Sequence, residues 1–208
     1  MRVLVGRGLD TTSEGADYSI DELEEIYAPP EGPWLRVNMV STVDGAAQGG
    51  DGKTGSINNA IDKEVFHLLR RQSDAIVVGG GTARAERYRP AVRPLVVVTA
   101  SGLLPETLQG ADGVRIAPGG GPDELRAMVA GLRDEGFDQL LCEGGPGLLG
   151  HLLRAGLVDE LCTTFTPLVV AGEGLRMVSG PPVDVPLTLH SLVEHDGTLL
   201  ARWLVSRP

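Results

Sequence analysis

The chain has 208 residues, a formal net charge of −10 and 42% hydrophobic residues. That length can bury a substantial core as one α/β unit, while the acidic balance argues against nucleic acid or an anionic membrane as a partner of the whole surface. Cys142 and Cys162 lie in apolar runs without C-x-x-C spacing, which predicts buried reduced thiols and no metal site. No apolar run reaches the length of a membrane span, and the short apolar start before Gly6 makes no signal peptide, so a cytoplasmic location is expected.

Residues 1–33 read as an N-terminal extension packed on a single domain, 34–208. Within the extension, Ser19-Ile20-Asp21-Glu22 has the form of a capping box opening a helix to Tyr27, stopped by Pro29-Pro30. A strand follows at 34–42. Asn58 or Asn59 then caps a helix to about Gln72, with Ile61, Val65, Leu68 and Leu69 on one apolar face. Strands are expected at 75–78, 95–99 and 114–117, a helix at 123–135, a strand at 139–142 and a helix at 147–155. The tail changes to strands at 160–166, 188–194 and 198–205, the last two joined by the hairpin signal Asp196-Gly197. This order predicts an α/β protein with a mostly parallel central sheet and an antiparallel C-terminal edge. Glycine-rich 118–122 and 171–174 read as plain loops.

Three segments carry candidate chemistry. RVNMVSTVDGAA at 36–47 runs from an apolar strand into Thr42, Asp44 and Gly45, at the sheet rim where open α/β proteins bind ligands; an Asp-Gly turn is the bland alternative. In DAIVVGGGTARAE, 74–86, a buried-looking strand meets three glycines that let backbone approach a ligand before Thr82. In QLLCEGGPGLLGHLLRAGLVDEL, 139–161, a strand leads through Glu143-Gly144-Gly145 to Pro146 at a helix start, whose free N–H groups suit an anion.

In order and spacing these segments resemble the reductase domain of the bifunctional riboflavin-biosynthesis deaminase/reductase, also found as a stand-alone pyrimidine reductase. The resemblance spans about 34–205. It rests on Thr42-Val43-Asp44-Gly45, on Asp74 to Thr82, and on Glu143-Gly144-Gly145 followed by Gly156-Leu157-Val158-Asp159-Glu160. It implies a dihydrofolate-reductase-like three-layer fold, NADPH as cofactor and hydride transfer to 5-amino-6-(5-phosphoribosylamino)uracil, giving the ribitylamino product. The protein's task in such a reaction is to align donor and acceptor and manage one proton.

On this resemblance Asp44 is the catalytic candidate, and Asn38, Thr42, Glu143 and Arg93 the substrate-binding ones. Gly79, Gly81, Thr82, Gly144, Gly145 and Gly147 would hold the cofactor. Thr99 and Ser101 would meet the 2′-phosphate, a small-residue surface loop being the alternative there. An Asp44 carboxyl with a raised pKa could relay a proton, and Glu143 could accept two N–H donors from an amino-pyrimidine or merely cap its loop.

The chain departs from the family pattern at Thr82-Ala83-Arg84-Ala85-Glu86-Arg87-Tyr88-Arg89-Pro90-Ala91-Val92-Arg93, where the family's Asp-Pro and Leu-Thr are missing. Arg87, Arg89 and Arg93 then form an anion site or serve another ligand. Asn38 replaces a common lysine and Ser56 a usual tryptophan. No H-x-E with P-C-x-x-C occurs, so the zinc deaminase half is absent and no metal is expected. His67, His151, His190 and His195 lack ligand spacing. Reduction of another heterocycle such as dihydrofolate, or NADPH binding without catalysis, are the alternative functions. The apolar late strands, with Leu161, Phe165, Leu189, Leu192, Leu199, Leu200 and Trp203, and the dimeric state of the resembled reductases lead to the expectation of a homodimer.

Overall fold

The computed structural model describes residues 1–6, 22–119 and 121–206. In chain order it contains β1 Arg2–Gly6, α1 Leu23–Ile26, β2 Trp34–Thr42, α2 Ala60–Arg71, β3 Ala75–Gly79, α3 Gly80–Ala85, β4 Leu95–Thr99 and β5 Val114–Pro118. It continues with α4 Pro122–Asp134, β6 Gln139–Cys142, α5 Pro146–Arg154, β7 Glu160–Thr166, β8 Leu187–His195 and β9 Thr198–Val205. Among the described residues the nine strands form one sheet in the order β1-β8-β9-β7-β2-β6-β3-β4-β5. The pairs from β7 through β2, β6, β3 and β4 to β5 are parallel, and β7-β9, β9-β8 and β8-β1 are antiparallel, as the element order predicted.

Neighbouring residues of the central strands face opposite sides, and both sides are covered. Leu35, Val37, Ala75, Val77, Val96, Val98, Leu140 and Cys142 pack with α4 and α5 through Leu125, Val129, Leu132, Leu149 and Leu152. On the opposite face Leu141, Cys162, Val193 and Leu200 meet Ile61, Val65, Leu68 and Leu69 of α2 and Leu23, Ile26 and Tyr27 around α1. Two-sided burial is why these strands read as unbroken apolar runs. Asn59 caps α2, its side chain accepting the Asp62 N–H at 3.1 Å, which resolves the choice between Asn58 and Asn59. Asp196 and Gly197 have φ of 47° and 78°, the left-handed pair that a tight hairpin turn requires.

Two elements escaped the sequence reading. The start of the chain is a strand, β1, whose partner β8 lies at the far end of the sequence. Gly80–Ala85, read as a polar stretch, is the short helix α3, since its glycines hide helical periodicity. The expected cap at Ser19 lies outside the described residues.

A buried ion cluster fastens α1 to the sheet. Glu160 on β7 accepts from Arg36 Nε at 2.9 Å, Arg202 Nε at 2.5 Å and Trp34 Nε1 at 2.9 Å. The same arginines donate to the carbonyls that end α1, Arg36 Nη1 to Tyr27 at 2.9 Å and Arg202 Nη1 to Ile26. Burial alone would raise the Glu160 pKa, but the two guanidinium groups outweigh it and hold the carboxyl down to about 2.

Unequal strand lengths open a gap at one end of the sheet. β6 stops at Cys142 opposite Val37, whereas β2 continues five residues further beside β7 as far as Thr42. Asn38, Met39 and Val40 therefore border the space where β6 has ended.

Candidate active site

Two cavities open side by side beyond the C-terminal ends of the parallel strands, the expected ligand position in an open α/β sheet. The first, about 510 Å³, is lined by backbone of Gly79 to Thr82 and Gly145 to Leu148, with Ala100, Gly119 and Leu175. The second, about 340 Å³, lies in the gap beside β2 and is lined by Asn38, Asn58, Asp62, Phe66, Tyr88 and Glu143, among others. Both fall within the size range of small-molecule sites. Ala47, Thr54, Thr82, Glu86, Gly145 and Pro146 line both, so two ligands would meet across this shared wall.

The first cavity is a backbone cradle. The turns after β3 and β6 touch, with Gly79 N–H donating to the Gly144 carbonyl at 2.7 Å. A Cβ on Gly79 would lie 3.3 Å from Gly145 N, and one on Gly145 would strike the Thr82 hydroxyl, so side chains have no room there. Gly81, by contrast, faces open space. The first-turn N–H groups of α5, which begins at Pro146, have no acceptor within the helix, and Gly147 and Leu148 line the cavity. These features fit the pyrophosphate of a nicotinamide dinucleotide. Gly144, at φ 73°, lines neither cavity; it shapes the turn against Met39, whose sulfur would stand 2.6 Å from an added Cβ. Thr99 and Ser101 share a hydroxyl contact of 3.2 Å and flank Ala100, the residue between them that does line the cavity. Beside them Arg84, which the sequence reading did not select, donates to the Leu103 carbonyl at 2.8 Å.

The second cavity combines a saturated carboxylate with unsatisfied oxygens. Glu143 accepts from Arg70 Nε at 2.5 Å, Arg70 Nη2 at 2.7 Å and the Tyr88 hydroxyl at 2.8 Å. Burial and the adjoining Glu143 push the Tyr88 hydroxyl pKa well up, so it stays a donor. Three of the roughly four lone-pair positions of Glu143 are thus filled from within the protein, not two by a ligand. Asn38 Oδ1, Asn58 Oδ1 and Asp62 Oδ1 are buried with no hydrogen-bond partner among the described residues. Burial raises the Asp62 pKa, and a hydrogen bond from Thr164 offsets only part of this. Lys63 and His67, both exposed, also line this cavity. Of this set, the sequence reading selected only Asn38 and Glu143. Asp62, Lys63, Phe66, His67 and Arg70 lie on α2, Asn58 just before it and Tyr88 after α3, and they look like ordinary helix or loop positions in one dimension.

Two expectations need correction. Asp44 lines neither cavity. Its carboxylate accepts from the Thr42 hydroxyl at 2.5 Å and from the N–H groups of Ala171 at 2.8 Å and Val170 at 3.3 Å, tying down the loop after β7. These bonds, the Thr42 hydroxyl first, lower its pKa, the reverse of what a proton relay needs. Thr42 is buried in the same turn, its oxygen also accepting from Ala46 N–H at 3.0 Å. Arg93 does not reach the second cavity; Nη2 donates to the Arg71 carbonyl at 3.0 Å, beside a separate surface cavity. The carboxylate at the shared wall is Glu86, whose Oε1 accepts from Thr54 N–H at 2.9 Å and the Thr54 hydroxyl at 3.0 Å.

A dihydrofolate-reductase-like sheet carrying adjoining dinucleotide-sized and ring-sized cavities defines a reductase scaffold. In shape the chain is similar to a pyrimidine reductase-like protein from Corynebacterium diphtheriae, with a TM-score of 0.75 at 21% identity over 92% of this chain and 100% of that one. It is also similar to dihydrofolate reductase from Enterococcus faecalis, with a TM-score of 0.56 at 14% identity over 84% of this chain and 97% of that one. In sequence it is 30% identical over 187 residues to the 2,5-diamino-6-ribosylamino-4(3H)-pyrimidinone 5′-phosphate reductase of Methanothermobacter thermautotrophicus, covering 73% of this chain and 86% of that one. It is 26% identical to the riboflavin biosynthesis protein RibD of Corynebacterium ammoniagenes, covering 72% of this chain but only 47% of that one. The family model of the RibD C-terminal domain matches residues 33–200, and the chain belongs to that family, in agreement with the resemblance carried by the three motifs.

Proposed function

We propose that the protein is the NADPH-dependent reductase of riboflavin biosynthesis, converting a ribosylamino-pyrimidine 5′-phosphate to its ribitylamino form. The observation that carries this reading is the shared wall: a glycine-lined cradle and a polar ring-sized cavity meet at Thr82, Glu86 and Gly145. Gly79 to Thr82 and the start of α5 would hold the pyrophosphate, with Thr99, Ser101 and Arg84 near the 2′-phosphate that separates NADPH from NADH. When bound, the nicotinamide supplies the hydride, which leaves one proton for the protein to deliver. Glu86 Oε1 is held by Thr54, and Oε2 is the atom available to exchange that proton. Glu143, clamped by Arg70 and Tyr88, orients the ring wall, and Lys63 and His67 face the substrate phosphate at the mouth. The working form is a cytoplasmic homodimer.

Oxidation of NADPH followed at 340 nm, with the ribosylamino-pyrimidine phosphate and with dihydrofolate side by side, tests this reading. Turnover of the pyrimidine phosphate and none of dihydrofolate is expected. The opposite pattern, or no oxidation with either, refutes it.

A further inference from the structure

We infer that His151 donates a hydrogen bond to the pyrophosphate of the bound dinucleotide, with Arg154 behind it as a positioning residue. This inference deepens the cofactor reading and rests on it. His151 is half-buried on α5 and lines the first cavity together with Gly147 and Leu148 of the same helix. It stands four residues after Gly147, on the same helix face one turn further along. Helical side chains lean back over the turn that precedes them. The residue there is a glycine, so no side chain separates the imidazole from the start of α5. The unpaired N–H groups of the first turn and the imidazole therefore serve one part of the cavity.

The neighbour of the ring decides which nitrogen carries its proton. Arg154 Nη2 and His151 Nδ1 are 2.9 Å apart. A guanidinium can only donate, so Nδ1 is the acceptor and the ring proton sits on Nε2. Nε2 has no hydrogen-bond partner among the described residues and is not one of the buried atoms left unpaired, so it is a donor open to the cavity that His151 lines.

Arg154 is itself short of an anion. The chain is acidic, and Arg36, Arg70, Arg115 and Arg202 each meet a glutamate. Arg154 is half-buried, has no carboxylate partner among the described residues, and leaves its Nε buried without a hydrogen bond. Its place in the last turn of α5 suits the helix dipole, yet its hydrogen bond runs back up the helix to His151. A phosphate oxygen at Nε2 supplies the missing counter-charge. Hydrogen bonds in a row polarise one another, so Arg154 strengthens His151 as a donor without touching the ligand. Of the anionic groups on the dinucleotide, the pyrophosphate is the one assigned to the start of α5, while the 2′-phosphate is assigned to Thr99, Ser101 and Arg84.

Calorimetric titration of the whole protein with NADPH and with NADH tests the inference. His151→Phe keeps a ring and removes the donor, and it is expected to weaken both dinucleotides alike by about tenfold or more, the loss of one hydrogen bond to a charged group. His151→Gln, whose side-chain amide carries N–H donors, should recover most of that loss. Arg154→Met should weaken both dinucleotides several-fold. The double variant should bind no more weakly than His151→Phe alone, because Arg154 acts through the ring. Parent-like affinity in His151→Phe overturns the inference. So does a loss confined to NADPH, which puts the imidazole at the 2′-phosphate, and so does an additive double variant. Each of these leaves dinucleotide binding by the parent, and with it the cofactor reading, standing; a parent that binds neither dinucleotide overturns both. The comparison of His151→Phe with His151→Gln decides the matter even if Arg154→Met fails to fold.

Discussion

Replacing Glu160 by glutamine isolates the buried ion cluster. The parent carboxylate is fully buried and takes hydrogen bonds from Trp34, Arg36 and Arg202. Its pKa stands at about 2 against an ordinary 4.5, and at about 1.4 kcal/mol per pH unit that gap corresponds to about 3 kcal/mol favouring the folded state. Glu160→Gln also leaves two guanidinium groups buried without a counter-charge, and breaking such a pair costs about 3–5 kcal/mol. For a chain of this size the melting temperature should drop by roughly 6–20 °C. The pH dependence carries a sign. A carboxyl whose folded pKa is depressed contributes its stability above the unfolded value and loses it as pH falls. The gap between parent and variant should therefore be constant above about pH 5 and shrink as pH falls from 4.5 toward 2. Differential scanning calorimetry at several pH values measures both quantities. A melting temperature within about 2 °C of the parent at pH 7, or a gap undiminished near pH 2, would refute the reasoning.

Glu86→Gln should fold normally and lose roughly a hundredfold or more in kcat with little change in NADPH affinity, and Asp44→Asn should lose far less; steady-state kinetics of the two variants would reverse the assignment if Asp44→Asn were the worse. Arg84→Ala should weaken NADPH binding several-fold while leaving NADH binding alone, and an equal loss for both dinucleotides in calorimetric titration would remove Arg84 from 2′-phosphate recognition. Light scattering at micromolar concentration should give twice the 21.9 kDa of one chain, and a monomer mass would rule out the homodimer.

The fold was legible where burial is two-sided. Runs such as Ala75–Val78 and Leu95–Val98 are apolar because both faces are covered, one by α4 and α5 and the other by Ala83 of α3 with Leu108 and neighbouring loop residues. β1 was hidden because a five-residue strand is defined by its partner, and β8 is about 185 residues away in sequence. At the site, the glycine-rich turns singled out in the sequence meet at one place: Gly79, Gly81, Thr82, Gly145 and Gly147 line the first cavity. Side-chain roles carried over poorly because they depend on distant partners. Asp44 is turned away by Val170 and Ala171, and Glu143 is occupied by Arg70 and Tyr88, contacts no local motif encodes. Asp62 reads as a first-turn helix acid in sequence; only burial beside Asn38 distinguishes it.

The early end of β6 makes the ring-sized cavity a property of the main chain. Its floor is the stretch of β2 left without a neighbour on one side, and that stretch keeps its ladder with β7 whatever side chains it bears. Asn38 can thus be exchanged with little disturbance to the sheet, and Asn58 lies before α2, outside the helix it precedes. A cavity of this kind can change its side-chain lining by a few substitutions, while its place beside the first cavity, set by where the strands stop, stays with the main chain.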